Sequence, residues 1–113
     1  MNAQSKQGWY ALKTAESGFL KWTVLNDIAV HCVEYVVGFE DWHRRSEIYI
    51  FFPTDEDLEQ HRETGRLQVI EAHFRQLLAE SQYPQEQSLV HFYFDSHENV
   101  VKNYEGSYFY RLR

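Results

Sequence analysis

The last quarter of the chain, residues 88–113, reads SLVHFYFDSHENVVKNYEGSYFYRLR. Residues 89–94 are predicted to form a strand, because large side chains stand on both of its alternating faces. The segment DSHEN that follows and the later pair Glu105-Gly106 are typical of turns. We therefore predict two further strands, over residues 99–104 and 107–112.

Upstream of this stretch, one amphipathic helix is predicted over residues 66–82. Its apolar side chains recur three or four residues apart, as expected for one buried face: Leu67, Ile70, Phe74, Leu77 and Leu78. Gly65 precedes the pattern and Pro84 follows it, which suits the two ends of a helix. We therefore predict that this helix packs on the sheet.

Residues 19–37 allow two interpretations. As a helix, the segment would carry an apolar stripe that begins with Leu20 and Val24; as strands, two apolar runs would flank the turn pair Asn26-Asp27. The strand interpretation is favoured, because β-branched residues crowd the second run and suit a pleated surface. The helical interpretation stays open.

The next apolar run, SEIYIFF at residues 46–52, is predicted to be a strand that ends before Pro53. The charged segment at residues 40–45 would join it to the preceding strand as a hairpin. Thr54, with Asp57 three residues later, resembles a capping box and predicts that a short helical turn begins there.

These elements predict a single domain, residues 1–113, because so short a chain cannot build a second core. Its fold class would be α+β. We expect a mostly antiparallel sheet of about five or six strands, with one main helix over residues 66–82 packed on it.

Composition limits the functions that the chain can serve. A formal net charge of −6 argues against a general nucleic-acid binder, which needs a basic face for the phosphates. The single cysteine, Cys32, cannot form an internal disulfide, which fits a reducing compartment. The sequence has neither a signal-peptide core nor an apolar run of about 18 residues. We expect a cytoplasmic protein that contacts no membrane and no nucleic acid directly.

Catalytic and metal-binding motifs are weakly represented. His91, Asp95 and His97 lie within seven residues, but the first is in mid-strand and the others are at its end, so they would not converge on a metal. No HExxH, GxSxG or phosphate-binding loop is present. We therefore expect no enzyme, no catalytic residues, no metal and no cofactor. A small metal-dependent or hydrolytic enzyme that uses this His/Asp cluster remains an alternative, as does a homo-oligomeric structural subunit.

Residues 92–113, FYFDSHENVVKNYEGSYFYRLR, combine an apolar strand, a "DS-E" turn and a closing "Y-G-YF" pattern. This segment resembles the tail of small bacterial immunity proteins, the antitoxins encoded beside polymorphic or contact-dependent growth-inhibition toxins. The resemblance covers about a fifth of the chain. It rests on seven residues: Asp95, Ser96, Glu98, Tyr104, Gly106, Tyr108 and Phe109.

The resemblance implies a cytosolic protein, monomeric or homodimeric, that binds one cognate toxin domain and blocks its active site. Many such toxins are basic nucleases, and an acidic surface accelerates and orders encounter with a basic one. Charge and loop position, rather than any family motif, then predict the contact surface: Glu40, Asp41, Trp42, Asp55, Glu56, Asp57 and Glu59.

Overall fold

The computed structural model describes residues 3–38 and 43–113, with side chains described from residue 6 onward. In chain order the elements are α1 (Ala3–Leu25), β1 (Cys32–Val36), β2 (Ser46–Phe52), α2 (Asp55–Glu63), α3 (Arg66–Glu80), a 3₁₀ turn (Gln87–Leu89), β3 (Val90–Ser96), α4 (His97–Asn103) and α5 (Tyr108–Arg111). No helix within these ranges is both long and apolar enough to cross a membrane.

The three strands form one sheet in the order β1-β2-β3. β1 runs antiparallel to β2, with Cys32 opposite Phe51, whereas β2 and β3 run parallel, with Phe52 opposite Ser96. A parallel pair needs a long crossover connection, and the segment holding α2 and α3 supplies it. The carboxyl ends of β2 and β3 therefore lie side by side.

The main core lies between α1, α3 and one face of the sheet. Its largest fully buried side chains come from all three: Leu12, Phe19, Ile48, Ile50, Phe52, Ile70, Phe74, Leu78 and Val90. Phe19 of α1 and Phe74 of α3 contact each other, with ring centroids 4.8 Å apart. Burial of each side chain of this size contributes about 1.5–3 kcal/mol, so this contact fixes the position of α1 on α3.

The opposite face of the sheet carries a second, smaller core. Tyr49 and Phe51 of β2 are buried there together with Val100 of α4. Tyr108 and Leu112, from the C-terminal segment, pack against them. The end of the chain therefore covers part of this face.

The predicted α+β class is confirmed, but the predicted number and arrangement of elements are wrong. The described residues form a sheet of three strands, not five or six, and five α-helices instead of one. The sheet is mixed rather than mostly antiparallel. Several predicted elements are confirmed: the strand at residues 46–52, the helix from Arg66, which ends at Glu80 instead of residue 82, and the N-cap at Thr54.

The favoured strand interpretation is wrong for residues 19–25, which form the end of α1. Leu12, Ala15 and Phe19 recur at helical spacing and are buried, so the decisive stripe begins well before residue 19. The second half of the segment does contain a strand, β1.

The strands predicted for residues 99–104 and 107–112 are also wrong, because both segments are helical. Ser96 begins α4 as its N-cap, and its side chain accepts a hydrogen bond from the Asn99 backbone N–H at 2.9 Å. Ser107 caps α5 in the same way and accepts from the Tyr110 N–H at 3.2 Å. A serine that caps a helix and a serine in a turn look alike in sequence.

Candidate functional site

One side of α2 forms a strongly acidic exposed surface in the described part of the chain. Glu56, Glu59, Gln60 and Glu63 are all exposed and line one shallow depression. Their spacing of three, four and seven residues places them on the same side of the helix. We call this surface the acidic face. It presents three carboxylates over two helical turns.

The other side of α2 attaches the helix to the sheet. Leu58 and His61 are buried, and the His61 ring lies 4.8 Å from the Phe52 ring of β2, measured between centroids. Thr54 begins the helix, since its hydroxyl oxygen accepts a hydrogen bond from the Asp57 N–H at 3.1 Å. The acidic face is therefore presented by a helix that is fixed at its start and along one side.

Hydrogen bonds between the first residues of α2 and those of α4 also hold the start of α2 in place. The Asp55 N–H donates to Glu98 of α4 at 2.9 Å, and the Ser96 hydroxyl donates to the Asp55 carboxylate. Lys102 of α4 bridges both acids, at 3.0 Å from Glu98 and 4.0 Å from Asp55. These contacts lower the pKa of the Glu98 carboxyl, first through the Asp55 N–H and then through Lys102. Both helices thus begin at one polar junction.

The acidic face is only partly neutralised. Glu59 pairs with Arg62 at 2.8 Å, but both side chains are 54% exposed, so the pair contributes little to stability. Within the described residues, Glu56 and Glu63 have no ion-pair partner. Net negative charge therefore remains available to a basic partner.

The structure distributes the predicted contact residues over different environments. Glu56 and Glu59 belong to the acidic face, whereas Asp55 lies at the junction with α4. Asp57 is half-buried and lines a separate hollow. The other predicted contact residues, Glu40, Asp41 and Trp42, lie outside the described residues.

Glu63 is a member of the acidic face that the sequence analysis missed. It could have been predicted from the sequence, because a residue seven positions after Glu56 lies on the same side of any helix that continues through residue 63. The predicted capping turn at Thr54 gave the start of α2 but not its length.

The hollow beside α2 differs in character from the acidic face. It is lined by residues of both charges and by neutral groups: Asp27, Ala29, Asp57, Gln60, His61, Thr64 and Arg66. Burial lowers the pKa of His61, and Arg66 lowers it further, while Asp57 opposes them. His61 is therefore neutral at pH 7, and within the described residues its buried Nδ1 has no hydrogen-bond partner.

The cluster considered for a metal is dispersed. Asp95 is 8% exposed, and its carboxylate accepts hydrogen bonds from Arg111 at 2.6 Å and from Asn99 at 3.0 Å. His97 stacks on His31 instead of turning toward Asp95. Among residues 3–38 and 43–113, no three His, Cys, Asp or Glu side chains are placed to share a metal ion.

His31 and His97 instead join a cluster around Tyr108. The two imidazole rings are stacked with centroids 3.8 Å apart, and His97 Nδ1 lies 2.7 Å from the Tyr108 hydroxyl. The Tyr108 ring meets Phe51 edge-on at 4.8 Å, and Cys32 packs against the same core cluster. Sequence reasoning missed this cluster, because its members come from segments far apart in the chain.

Electrostatics make the cluster unreactive at neutral pH. Burial raises the pKa of the Cys32 thiol, against a smaller opposing effect of Tyr108, so the thiol is protonated and not activated as a nucleophile. Burial and the neighbouring Cys32 thiol raise the pKa of Tyr108. Burial, and then the neighbouring His97, lower the pKa of His31.

Comparison of the chain with protein-family models, with curated proteins and with solved structures gives no significant match.

Proposed function

We propose that the protein is an immunity protein. It binds a cognate bacterial toxin domain, a nuclease with a basic active site, through the acidic face of α2 and blocks that site. The observation that carries the proposal is the acidic face itself, with Glu56, Glu59 and Glu63 exposed side by side on a firmly attached helix. The net charge of −6 and the resemblance of residues 92–113 to immunity proteins support the same class of function.

The geometry of the acidic face suits a nuclease as its target. Nucleases hold the phosphates of their substrate with Lys and Arg side chains, so their active sites are basic. Glu56 and Glu63 are seven residues apart on α2, which separates them by about 10 Å along the helix axis. A row of carboxylates of this length can occupy a groove that otherwise receives a phosphate backbone, and charge attraction speeds the encounter.

The function is tested first by growth rescue. Each open reading frame next to this one is expressed in a bacterial host, with and without this protein. We expect one neighbour to stop growth alone and growth to return when the two are co-expressed. A toxic neighbour whose effect persists in the presence of this protein would contradict the proposal, as would a set of neighbours without any toxic member.

The acidic face is then tested with the toxin that the rescue identifies. The variant Glu56→Gln, Glu59→Gln, Glu63→Gln should bind this toxin at least about tenfold more weakly, since close charge pairs across an interface couple by about 1.5 kcal/mol or more. The loss should appear mainly in the association rate at low salt and shrink as salt is added. Surface plasmon resonance measures both quantities.

A matched control separates local contact from overall charge. The variant Glu80→Gln, Glu86→Gln, Glu105→Gln also removes three exposed carboxylates, but from outside α2. We expect its affinity to change less than about threefold, because distant exposed charges are screened by salt. Equal losses in both variants would show that net charge, and not the acidic face, governs binding. Growth rescue would then stand while the binding surface would have to be sought elsewhere.

A further inference from the structure

The C-terminal segment from residue 104 to residue 112, which we call the latch, packs on the outer face of the sheet. Tyr108 is central to this packing, because its ring packs on Phe51 and its hydroxyl lies 2.7 Å from His97 Nδ1. Arg111 adds the ion pair with Asp95. α5 itself is only four residues long and has no fully buried residue, so it depends on these contacts for its position.

The two histidines beside Tyr108 are arranged so that a positive charge on both rings at once is unfavourable. With centroids 3.8 Å apart and planes 14° from parallel, the His31 and His97 rings are in direct contact. One imidazolium stacked on a neutral imidazole is tolerable, whereas two positive charges in contact repel each other, although solvent weakens the repulsion because His31 is exposed. The Tyr108 ring lies parallel to both imidazole rings, with centroid distances of 6.5 Å to His31 and 5.9 Å to His97. The repulsion therefore acts at the place where Tyr108 holds the latch to the sheet.

The neighbouring carboxylates do not compensate for a second positive charge on the histidine pair, because each of them pairs with or acts on another group. Asp95 is held by Arg111 and Asn99, and Glu98 by Lys102 and the Asp55 N–H. Glu34 acts on the Cys32 thiol and on Tyr108, and burial raises its own pKa. The segments that carry or adjoin the pair bear the following titratable or charged groups: Cys32 and Glu34 of β1, Asp95 of β3, Glu98 and Lys102 of α4, Tyr108 and Arg111 of α5, and Asp55 of α2, which Glu98 and Lys102 contact.

We propose that the latch is pH-sensitive: it covers Cys32 and Phe51 at neutral pH and detaches in acid, when positive charge enters the stacked imidazole pair. The Tyr108 hydroxyl donates to Nδ1 of a neutral His97, or accepts from the Nδ1–H of an imidazolium, so this hydrogen bond can form in either state. What protonation changes is the positive charge that it adds beside Tyr108. This inference does not depend on the proposed function.

The single cysteine of the chain reports on the latch, because Cys32 lies beneath Tyr108. Its rate of reaction with 4,4′-dithiodipyridine, which modifies thiols in acid as well as at neutral pH, is measured from pH 7.5 to pH 5. Division by the rate for the same protein unfolded in guanidinium at each pH gives the protection of the thiol. We expect a progressive loss of protection as the pH falls, because the closed state lowers the pKa of His31 and the open state therefore binds protons more readily.

Variants assign the change to the histidine pair. His31→Phe keeps an aromatic ring on His97 without a charge, and His31→Gln removes the charge with a smaller side chain; in both, protection should stay nearly constant over this pH range. His91→Gln removes a histidine from the adjacent part of β3 and should retain the wild-type pH dependence. Circular dichroism follows the long helices α1 and α3 in every sample.

Two outcomes would overturn the proposal. One is constant protection of Cys32 between pH 7.5 and pH 5 in the wild-type protein, or an undiminished fall in both His31 variants. The other is a fall that coincides with loss of the helical signal, because protection would then report unfolding of the whole chain instead of local release.

Discussion

At the scale of single residues, Asp95 is the group on which most of the C-terminal structure depends. It is buried at the end of β3, and its oxygens accept hydrogen bonds from Asn99 in α4 and from Arg111 in α5. One carboxylate therefore joins a strand to two helices.

Loss of this carboxylate should destabilise the protein markedly. In Asp95→Ala, Arg111 would keep its charge in a mostly buried position without a partner, and we expect a loss of about 2–3 kcal/mol in the free energy of unfolding, below the full cost of a deeply buried pair. Urea denaturation monitored by circular dichroism measures this loss as a lower midpoint at unchanged slope. Glu59→Ala is the control, because its pair with Arg62 is exposed and should be worth less than about 0.5 kcal/mol. Equal losses in the two variants would mean that Asp95 is no more than a surface charge.

At the scale of elements, the sequence predicts long periodic segments well and short capped ones badly. α3 was recognised because four buried side chains repeat along 15 residues. α4 and α5 have seven and four residues, which is too few turns for a period to be read, and their N-caps Ser96 and Ser107 were interpreted as turn residues. α1 was missed for another reason: its buried stripe includes the small residue Ala15, which adds little to a hydrophobic pattern.

The pairing between elements was harder to predict from the sequence than the elements themselves. The antiparallel pairing of β1 and β2 follows from a short connection, whereas the parallel pairing of β2 and β3 depends on how α2 and α3 cross over the sheet. The acids of α2 could be found from charge alone, and Glu56 and Glu59 do form an exposed face. The contact between His31 and His97 could not be found, because it exists only once β1 and α4 are brought together.

At the scale of the whole molecule, the two surfaces of interest meet at the start of α4. Ser96 donates its hydroxyl proton to Asp55 of α2, while the next residue, His97, stacks on His31 and contacts Tyr108 of the latch. Consecutive residues thus contact the helix that carries the acidic face and the segment that covers the sheet. A displacement of α4 would reach both surfaces.

The histidines also predict how the stability of the whole protein responds to pH. The pKa values of His31 and His61 are lowered in the folded protein, by burial first in both cases, so the unfolded chain binds more protons around pH 6. Stability should therefore be fully retained above the ordinary histidine pKa of about 6.5 and should decline as the pH falls below it, by at most about 1.4 kcal/mol per pH unit for the buried His61 and by less for His31, whose exposed ring is screened by solvent. Glu98, whose pKa is lowered, adds a loss of the same sign only below its ordinary value near 4.5. Neutralisation of the net charge of −6 acts in the opposite direction, because it relieves repulsion in the folded state.

Comparison between variants removes this opposing effect, which all of them share. Urea midpoints are measured between pH 5 and pH 8 at constant ionic strength for the wild type, for His61→Leu and for His61→Leu combined with His31→Phe. We expect the decline toward acid to become shallower with each substitution. His61→Leu should also cost little at pH 8, because it removes a buried ring nitrogen that has no hydrogen-bond partner within the described residues. If the double variant declined as steeply as the wild type, the acid sensitivity would have to come from carboxylates, and His31 and His61 would have no part in it.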